Sequence, residues 1–221
     1  MVSTDGWIER ADSAVQEARE QPLSFEEYLN TVLKDPSAGA HAAKYLLDAI
    51  ESMGTRTVIE RGEELQRWRF FDDPHNDGEH AILGNTKTLN SFVEDVRAIA
   101  SGLGKESKIV WVSGPTGTGK SEFKRCLVSG LREYSKTDEG RRYTVEWNVT
   151  DTDDGRSGMS YGDNGSSDED GWYQSPVQSN PLSVLPTEVR EDVIDDVNEV
   201  NDDPVPIDVE ADLDPFCREA Y

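Results

Sequence analysis

The pattern Gly114-Pro-Thr-Gly-Thr-Gly119-Lys120-Ser121 constrains this chain more than any other stretch of it. Each position of G-x-x-x-x-G-K-[ST] has a mechanical reason. Gly114, Gly117 and Gly119 let the backbone wrap, through Pro115, Thr116 and Thr118, until successive amides point at a phosphate. A helix starting at the loop adds the positive end of its dipole. Lys120 then reaches the β and γ phosphates of a nucleotide, and the Ser121 hydroxyl ligates magnesium. The flanks supply the context this needs. Lys108-Ile-Val-Trp-Val-Ser113 is a short continuous apolar run that reads as a buried central strand. Phe123, Cys126, Leu127, Val128 and Leu131 recur at helical spacing, so 122–134 reads as a helix. The competing reading is a glycine-rich turn with an incidental lysine.

The expected fold is therefore α/β, a three-layer parallel P-loop sheet. A second strand is predicted at 142–149, where Tyr143, Val145 and Trp147 alternate with polar residues. Only these two sheet strands are legible, so the sheet is expected to be incomplete, with unsatisfied edges. Residues 1–55 read as an N-terminal helical region. A short amphipathic helix is predicted at 5–20. Ser24-Phe-Glu-Glu27 is a capping-box pattern for a helix at 25–34, and a further helix at 38–53 ends on Gly54. The pair at 25–53 is predicted to form a small helical hairpin with an apolar seam. Residues 56–150 hold the partial P-loop core, with a short strand at 57–60 and a helix near 86–102. Residues 151–221 form an acidic, largely disordered or insertion-containing region, relieved by a short helix near 187–199.

Charge narrows the partners. The chain carries 45 Asp and Glu against 22 Lys and Arg, a formal charge of −23. That balance excludes nucleic acid as an expected partner, because phosphate backbones need cations, and it excludes an anionic membrane surface. Residues 151–214 hold 19 acidic residues and 2 Arg, so most of the excess lies there. Carboxylates also decorate the first half, and Lys is scarce throughout. The expectation is a salt-adapted, halophilic surface combined with an acidic C-terminal third. Two cysteines, Cys126 and Cys217, make no disulfide framework, and His41, His75 and His80 lack metal-ligand spacing. No apolar run approaches the ~20 residues that span a bilayer, and the N-terminus has no signal-like core, so a cytoplasmic location is expected.

Hydrolysis of ATP needs an acidic pair on a second strand to hold magnesium and polarise water. Four apolar residues followed by Asp-Glu do not occur. Val193-Ile-Asp-Asp196 is the nearest imitation, and it lies in a helical pattern. No catalytic residue is assigned.

Several stretches together resemble the N-terminal part of PrkA-type proteins, the AAA+ family named serine protein kinases. They are Leu23-Ser-Phe-Glu-Glu-Tyr-Leu29, Asp35 to Ile50 with its Ala-Ala-x-x-Leu-Leu-x-Ala-Ile core, Phe70-Phe71, Ile82-Leu83-Gly84, the loop 114–121, and Asn180-Pro-Leu-Ser-Val-Leu-Pro186. The resemblance implies an ATP and magnesium site at Gly114–Ser121. It implies that Ile82, Leu83 and Gly84 line the adenine pocket, as a hydrophobic-hydrophobic-Gly turn does in AAA+ ATPases. It implies ATP-dependent serine kinase activity on a protein substrate, or a partner subunit, and an AAA+ ring arrangement that admits a homo-oligomer. Family members continue into the rest of an ATPase core, which these 221 residues do not contain. The expectation is a truncated or split N-terminal part. The alternative is an ATP-binding regulatory, adaptor or remodelling subunit without kinase activity of its own.

Overall fold

Local signals set the first described element. Ser24 accepts a hydrogen bond from the Glu27 amide at 3.2 Å, and Glu27 accepts from the Ser24 amide at 2.8 Å. This reciprocal capping box starts helix α1 at Phe25–Lys34. The structure, a computed structural model, describes residues 23–102, 110–148, 172–175, 177–201, 206–207, 209 and 212–220. The helix predicted at 5–20 and residues 151–171 of the loop predicted at 151–180 lie outside the described residues. The rest of that loop departs from expectation, because Trp172–Gln174 pairs with Glu146–Asn148 as a strand.

A 3₁₀ turn at Pro36–Gly39 leads into α2 at Ala42–Ser52. Gly54, at φ +65°, turns the chain into β1, Thr55–Glu60. Arg61 and Gly62 both have positive φ, the requirement of a tight type I′ hairpin, so β1 folds back on β2, Glu63–Trp68. Two 3₁₀ turns, Arg69–Asp72 and Pro74–Asn76, carry the chain to α3, Thr86–Ala100. The loop follows, then α4, Lys120–Tyr134. A second antiparallel pair joins β3, Glu146–Asn148, to β4, Trp172–Gln174. The chain finishes with α5, Thr187–Val200, and α6, Pro215–Ala220.

The sheet differs from expectation. Both pairings among the described residues are antiparallel and two-stranded, so the parallel P-loop sheet is not formed by them. Residues 110–113 are irregular, and Trp111 is 82% exposed rather than buried. Residues 108–109 of that predicted strand lie outside the described part. The reason is physical. An apolar run becomes a central strand only when neighbours supply hydrogen bonds on both edges and helices cover both faces. No described strand pairs with it.

Two apolar clusters hold the described elements together. In the first, Leu47 and Ile50 of α2, Phe70, Phe71, Ile82, Leu89, Val93 and Val96 of α3, and Cys126 and Tyr134 of α4 pack as one group. In the second, Tyr28 and Val32 of α1 meet Leu182, Val197, Ile207 and Val209. The predicted α1–α2 seam is therefore corrected. The apolar stripe of α1 is used by α5, whose outer face is too acidic to bury, while α2 turns its stripe to α3 and Phe70. Arg142 links the two clusters. It lies 4.1 Å over the Tyr45 ring and donates to the carbonyls of Ser37 and Ala38 at 2.6 and 2.8 Å.

Gly130 brings α4 close against the first cluster. A Cβ there would stand 2.3 Å from Cε2 and Cζ of Phe70. Only glycine lets α4 sit this close to a ring that is itself 1% exposed. Gly130→Ala is expected to lower the unfolding free energy by about 1–3 kcal/mol in urea titrations, the usual cost of overpacking a core. A variant as stable as the parent would contradict this packing.

Candidate functional site

Residues 114–118 of the loop are exposed and Gly119 is half-buried, and two left-handed glycines shape it, Gly117 at φ +85° and Gly119 at φ +82°. Gly119 forms the N-cap of α4, where no side chain caps the helix. The first-turn amides of α4 are thus left to other acceptors, with the positive end of the helix dipole behind them. A Cβ on Gly114 would approach Thr118 Oγ1 to 3.0 Å, so a larger residue there would have to push the Thr118 side chain aside. Thr118 donates to the Pro115 carbonyl at 2.9 Å and stiffens it. The Lys120 ammonium is turned into the loop, donating to the carbonyls of Gly114 and Pro115 at 2.7 and 2.6 Å. Ser121 is exposed on the first turn of α4. A cationic head held over a ring of backbone, beside uncapped amides and a free hydroxyl, fits a phosphate with its magnesium.

The segment 80–86 is held near this loop. His80 Nδ1 lies 2.9 Å from Glu122 Oε2 in the first turn of α4. A carboxylate only accepts, so the ring nitrogen carries the hydrogen. That bond, with Arg125 beside it, holds the Glu122 carboxyl below the usual carboxylate range. Asp73 accepts from the His80 amide and from Ser129 Oγ of α4, both at 2.9 Å. The Cys126 thiol points at the Phe70 carbonyl, and burial, with Asp73 nearby, pushes it up to about 12, so it is an inert core thiol.

Ile82, Leu83 and Gly84 have different surroundings within one turn. Ile82 is buried in the core, Leu83 is 89% exposed, and Gly84 takes φ +72°. Arg67 fixes this turn. It is 3% exposed and donates to the carbonyls of Gly84 at 3.0 Å and Phe71 at 3.4 Å, to the Ile82 carbonyl, to Thr86 Oγ1 at 3.1 Å and to Asp72 at 2.9 Å. Glu60 of β1 accepts from the Thr86 amide and hydroxyl, and so supplies the cap that Asn85 does not. Sequence reasoning missed Arg67, His80 and Glu122, because their partners are distant in the chain.

Val193-Ile-Asp-Asp196 lies within α5 with both aspartates exposed. It is not a strand-end pair. Among the described residues no group of three His, Cys, Asp or Glu comes together as a metal cage, and no helix is long and apolar enough to cross a membrane.

Comparison with known proteins places this arrangement in a class. The family model described as the PrkA AAA domain matches residues 23–219, and the chain belongs to that family. An AAA domain is a nucleotide-binding module, which agrees with the loop. Among curated proteins, the chain is 26% identical over 170 residues to the "ATP-dependent protease PrkA" of Bacillus subtilis, covering 76% of this chain and 21% of that one. It is 28% identical over 115 residues to the "Serine/threonine kinase YeaG" of Escherichia coli K12, covering 51% of this chain and 17% of that one. The chain thus spans about a fifth of the length of these relatives. No solved structure matches it.

The Arg67 clamp can be tested by stability. Arg67→Met leaves inward-facing carbonyls unmatched and removes one of the two guanidiniums on Asp72, and is expected to cost about 2–4 kcal/mol in denaturant titrations. A loss below about 0.5 kcal/mol, the usual surface range, would contradict the clamp.

Asp72 adds a pH signature. Burial pushes its carboxyl up, but hydrogen bonds and charge from Arg56 and Arg67 outweigh this and hold it below its usual range. With the folded pKa below the unfolded value of about 3.9, its stabilisation is complete above that value and is lost as pH falls through the folded pKa. Unfolding free energy should therefore drop below about pH 4, and Asp72→Asn should flatten that drop. Parallel pH profiles for parent and variant would refute the assignment.

Proposed function

We propose that this chain binds ATP with magnesium as the nucleotide-binding part of a PrkA-like serine protein kinase. The observation that carries the reading is the loop 114–121, with its two left-handed glycines, uncapped helix start and inward-turned Lys120. In this reading the phosphates lie against the loop amides, Lys120 leaves the Gly114 and Pro115 carbonyls for the β and γ oxygens, and Ser121 ligates magnesium. Ile82, Leu83 and Gly84 border the adenine, with the exposed Leu83 side chain offering the apolar surface. The kinase assignment rests on likeness to YeaG, and a protein substrate or partner subunit follows from it. A homo-oligomer and a cytoplasmic location belong to the same reading.

A second reading keeps the nucleotide and drops the chemistry. It is a regulatory, adaptor or remodelling subunit whose ATP work is completed elsewhere. The exposed helical position of Asp195 and Asp196 favours it, since an acidic pair must stand at a strand end beside the γ-phosphate to polarise water. The printed name of the B. subtilis relative, an ATP-dependent protease, also differs from that of the E. coli kinase.

Titration calorimetry tests the shared claim. ATP with magnesium should bind the parent chain saturably in high salt, Lys120→Ala should abolish the heat, and Ser121→Ala should remove the magnesium dependence. Equal affinity in parent and Lys120→Ala would refute the site. The adjoining reading frame separates the two readings. DNA that encodes the rest of the ATPase core supports the kinase part and sinks the adaptor. Little or no phosphate release by the isolated chain is expected in both.

A further inference from the structure

Among the described residues, two cations on the outer face of α4 have no carboxylate partner. Acidic residues outnumber basic ones 45 to 22; several described cations sit on carboxylates, Arg56 on Asp72, Arg97 on Glu51 and Lys136 on Glu133, while Lys120 and Arg142 sit on backbone carbonyls. Among the described residues, Lys124 and Arg132 make no ion pair and no side-chain hydrogen bond. Both line a groove of about 430 Å³ between α4 and the Pro74–Asn76 turn, together with His75, Arg125, Val128 and Ser129. The carboxylates around it are committed. Glu122 holds His80 and Arg125, Asp73 holds Ser129 and the His80 amide, and Glu133, which also lines the groove, pairs with Lys136 while feeling the charge of His75 and Arg132 more weakly. Val128 at the middle is 48% exposed.

Spacing gives this face a code. Lys124, Val128 and Arg132 recur every four residues, so they lie on one face of α4. At ~1.5 Å rise per residue the two cations stand about 12 Å apart along the helix. An extended peptide advances ~3.3 Å per residue and covers that distance in about four residues. We propose that this groove docks an acidic peptide segment of a protein partner, two carboxylates four residues apart flanking an apolar residue. The carboxylates pair with Lys124 and Arg132, and the apolar side chain covers Val128. The net charge of the chain does not forbid this, because at physiological ionic strength fields are screened beyond about 8 Å and the local cations dominate. The proposal stands without the nucleotide reading, since none of these three residues belongs to the loop.

Fluorescence anisotropy with a labelled Gly/Ser-flanked Glu-Gly-Leu-Gly-Glu peptide and the full chain tests it. The parent should bind saturably at roughly 10–100 μM. Lys124→Gln/Arg132→Gln should bind about tenfold more weakly, as for loss of two exposed ion pairs. A peptide with Gln in place of both Glu should lose as much. Lys87→Gln, on α3 and paired with Glu63, should bind like the parent. Circular dichroism of each variant checks that it is folded, and Lys124→Arg/Arg132→Lys should keep the binding. Absent binding, equal binding by the Lys124→Gln/Arg132→Gln protein, or equal binding of the Gln peptide would overturn the proposal. So would tighter binding of an oligonucleotide of matched charge. Self-association that the same variant abolishes and the peptide fails to inhibit would also overturn it, in favour of a second copy as occupant.

Discussion

A buried guanidinium keeps its charge and has five N–H donors, so the surrounding chain must supply acceptors for it. Arg67 sets that requirement here. Its donors draw β2, the Arg69–Asp72 turn, the Ile82–Gly84 turn and the start of α3 to one point, and Glu60 closes the far side through Thr86. Much of the placement follows. With Asp72 held by Arg56 and Arg67, the neighbouring Phe70 and Phe71 rings are turned into the core, at 1% and 0% exposure. Phe70 then receives α4 at Gly130, and Phe71 stacks with Phe123 of the same helix.

The candidate site depends on this seat in two ways. The loop is anchored where α4 begins, so the contacts of Cys126, Gly130 and Tyr134 decide where Gly119, Lys120 and Ser121 stand. The Ile82–Gly84 turn is anchored separately by Arg67, and His80–Glu122 and Asp73–Ser129 tie it to α4. Two pieces far apart in the chain are thus held on one frame. Lys120 itself is held by neutral loop acceptors, the Gly114 and Pro115 carbonyls and the Thr118 hydroxyl, which a phosphate can outcompete as a charged acceptor.

Much of the local structure was legible because its causes are local. The capping box at Ser24 and Glu27, the left-handed Gly54, and the helices over 25–34, 86–100, 120–134 and 187–200 follow from residues within a turn or two of one another. The PrkA family likewise followed from short motifs. Elements that depend on distant partners were not legible. Glu63–Trp68 has no clean alternation, and only Gly62 after Arg61 hints that it pairs with 55–60. The run at 108–113 has the composition of a buried strand, yet Val110, Trp111 and Val112 are exposed because no described strand lies beside them. The apolar stripe of α1 did not reveal whether α2 or α5 would cover it. In the site, the glycines and Lys120 could be read from spacing, whereas the Arg67 clamp and the His80–Glu122 link join residues too far apart to show a pattern.

Loop 114–121, seated by α4 on Phe70, is proposed to receive the phosphates of ATP. Hydrogen exchange read by mass spectrometry, with and without ATP and magnesium, tests it most directly. Amides that accept a phosphate stop exchanging with water, so peptides covering 114–122 should gain protection, with a smaller gain over 80–86. The β1–β2 hairpin should be unchanged. Unchanged exchange over 114–122 at saturating ATP, or protection confined to other segments, would contradict the account.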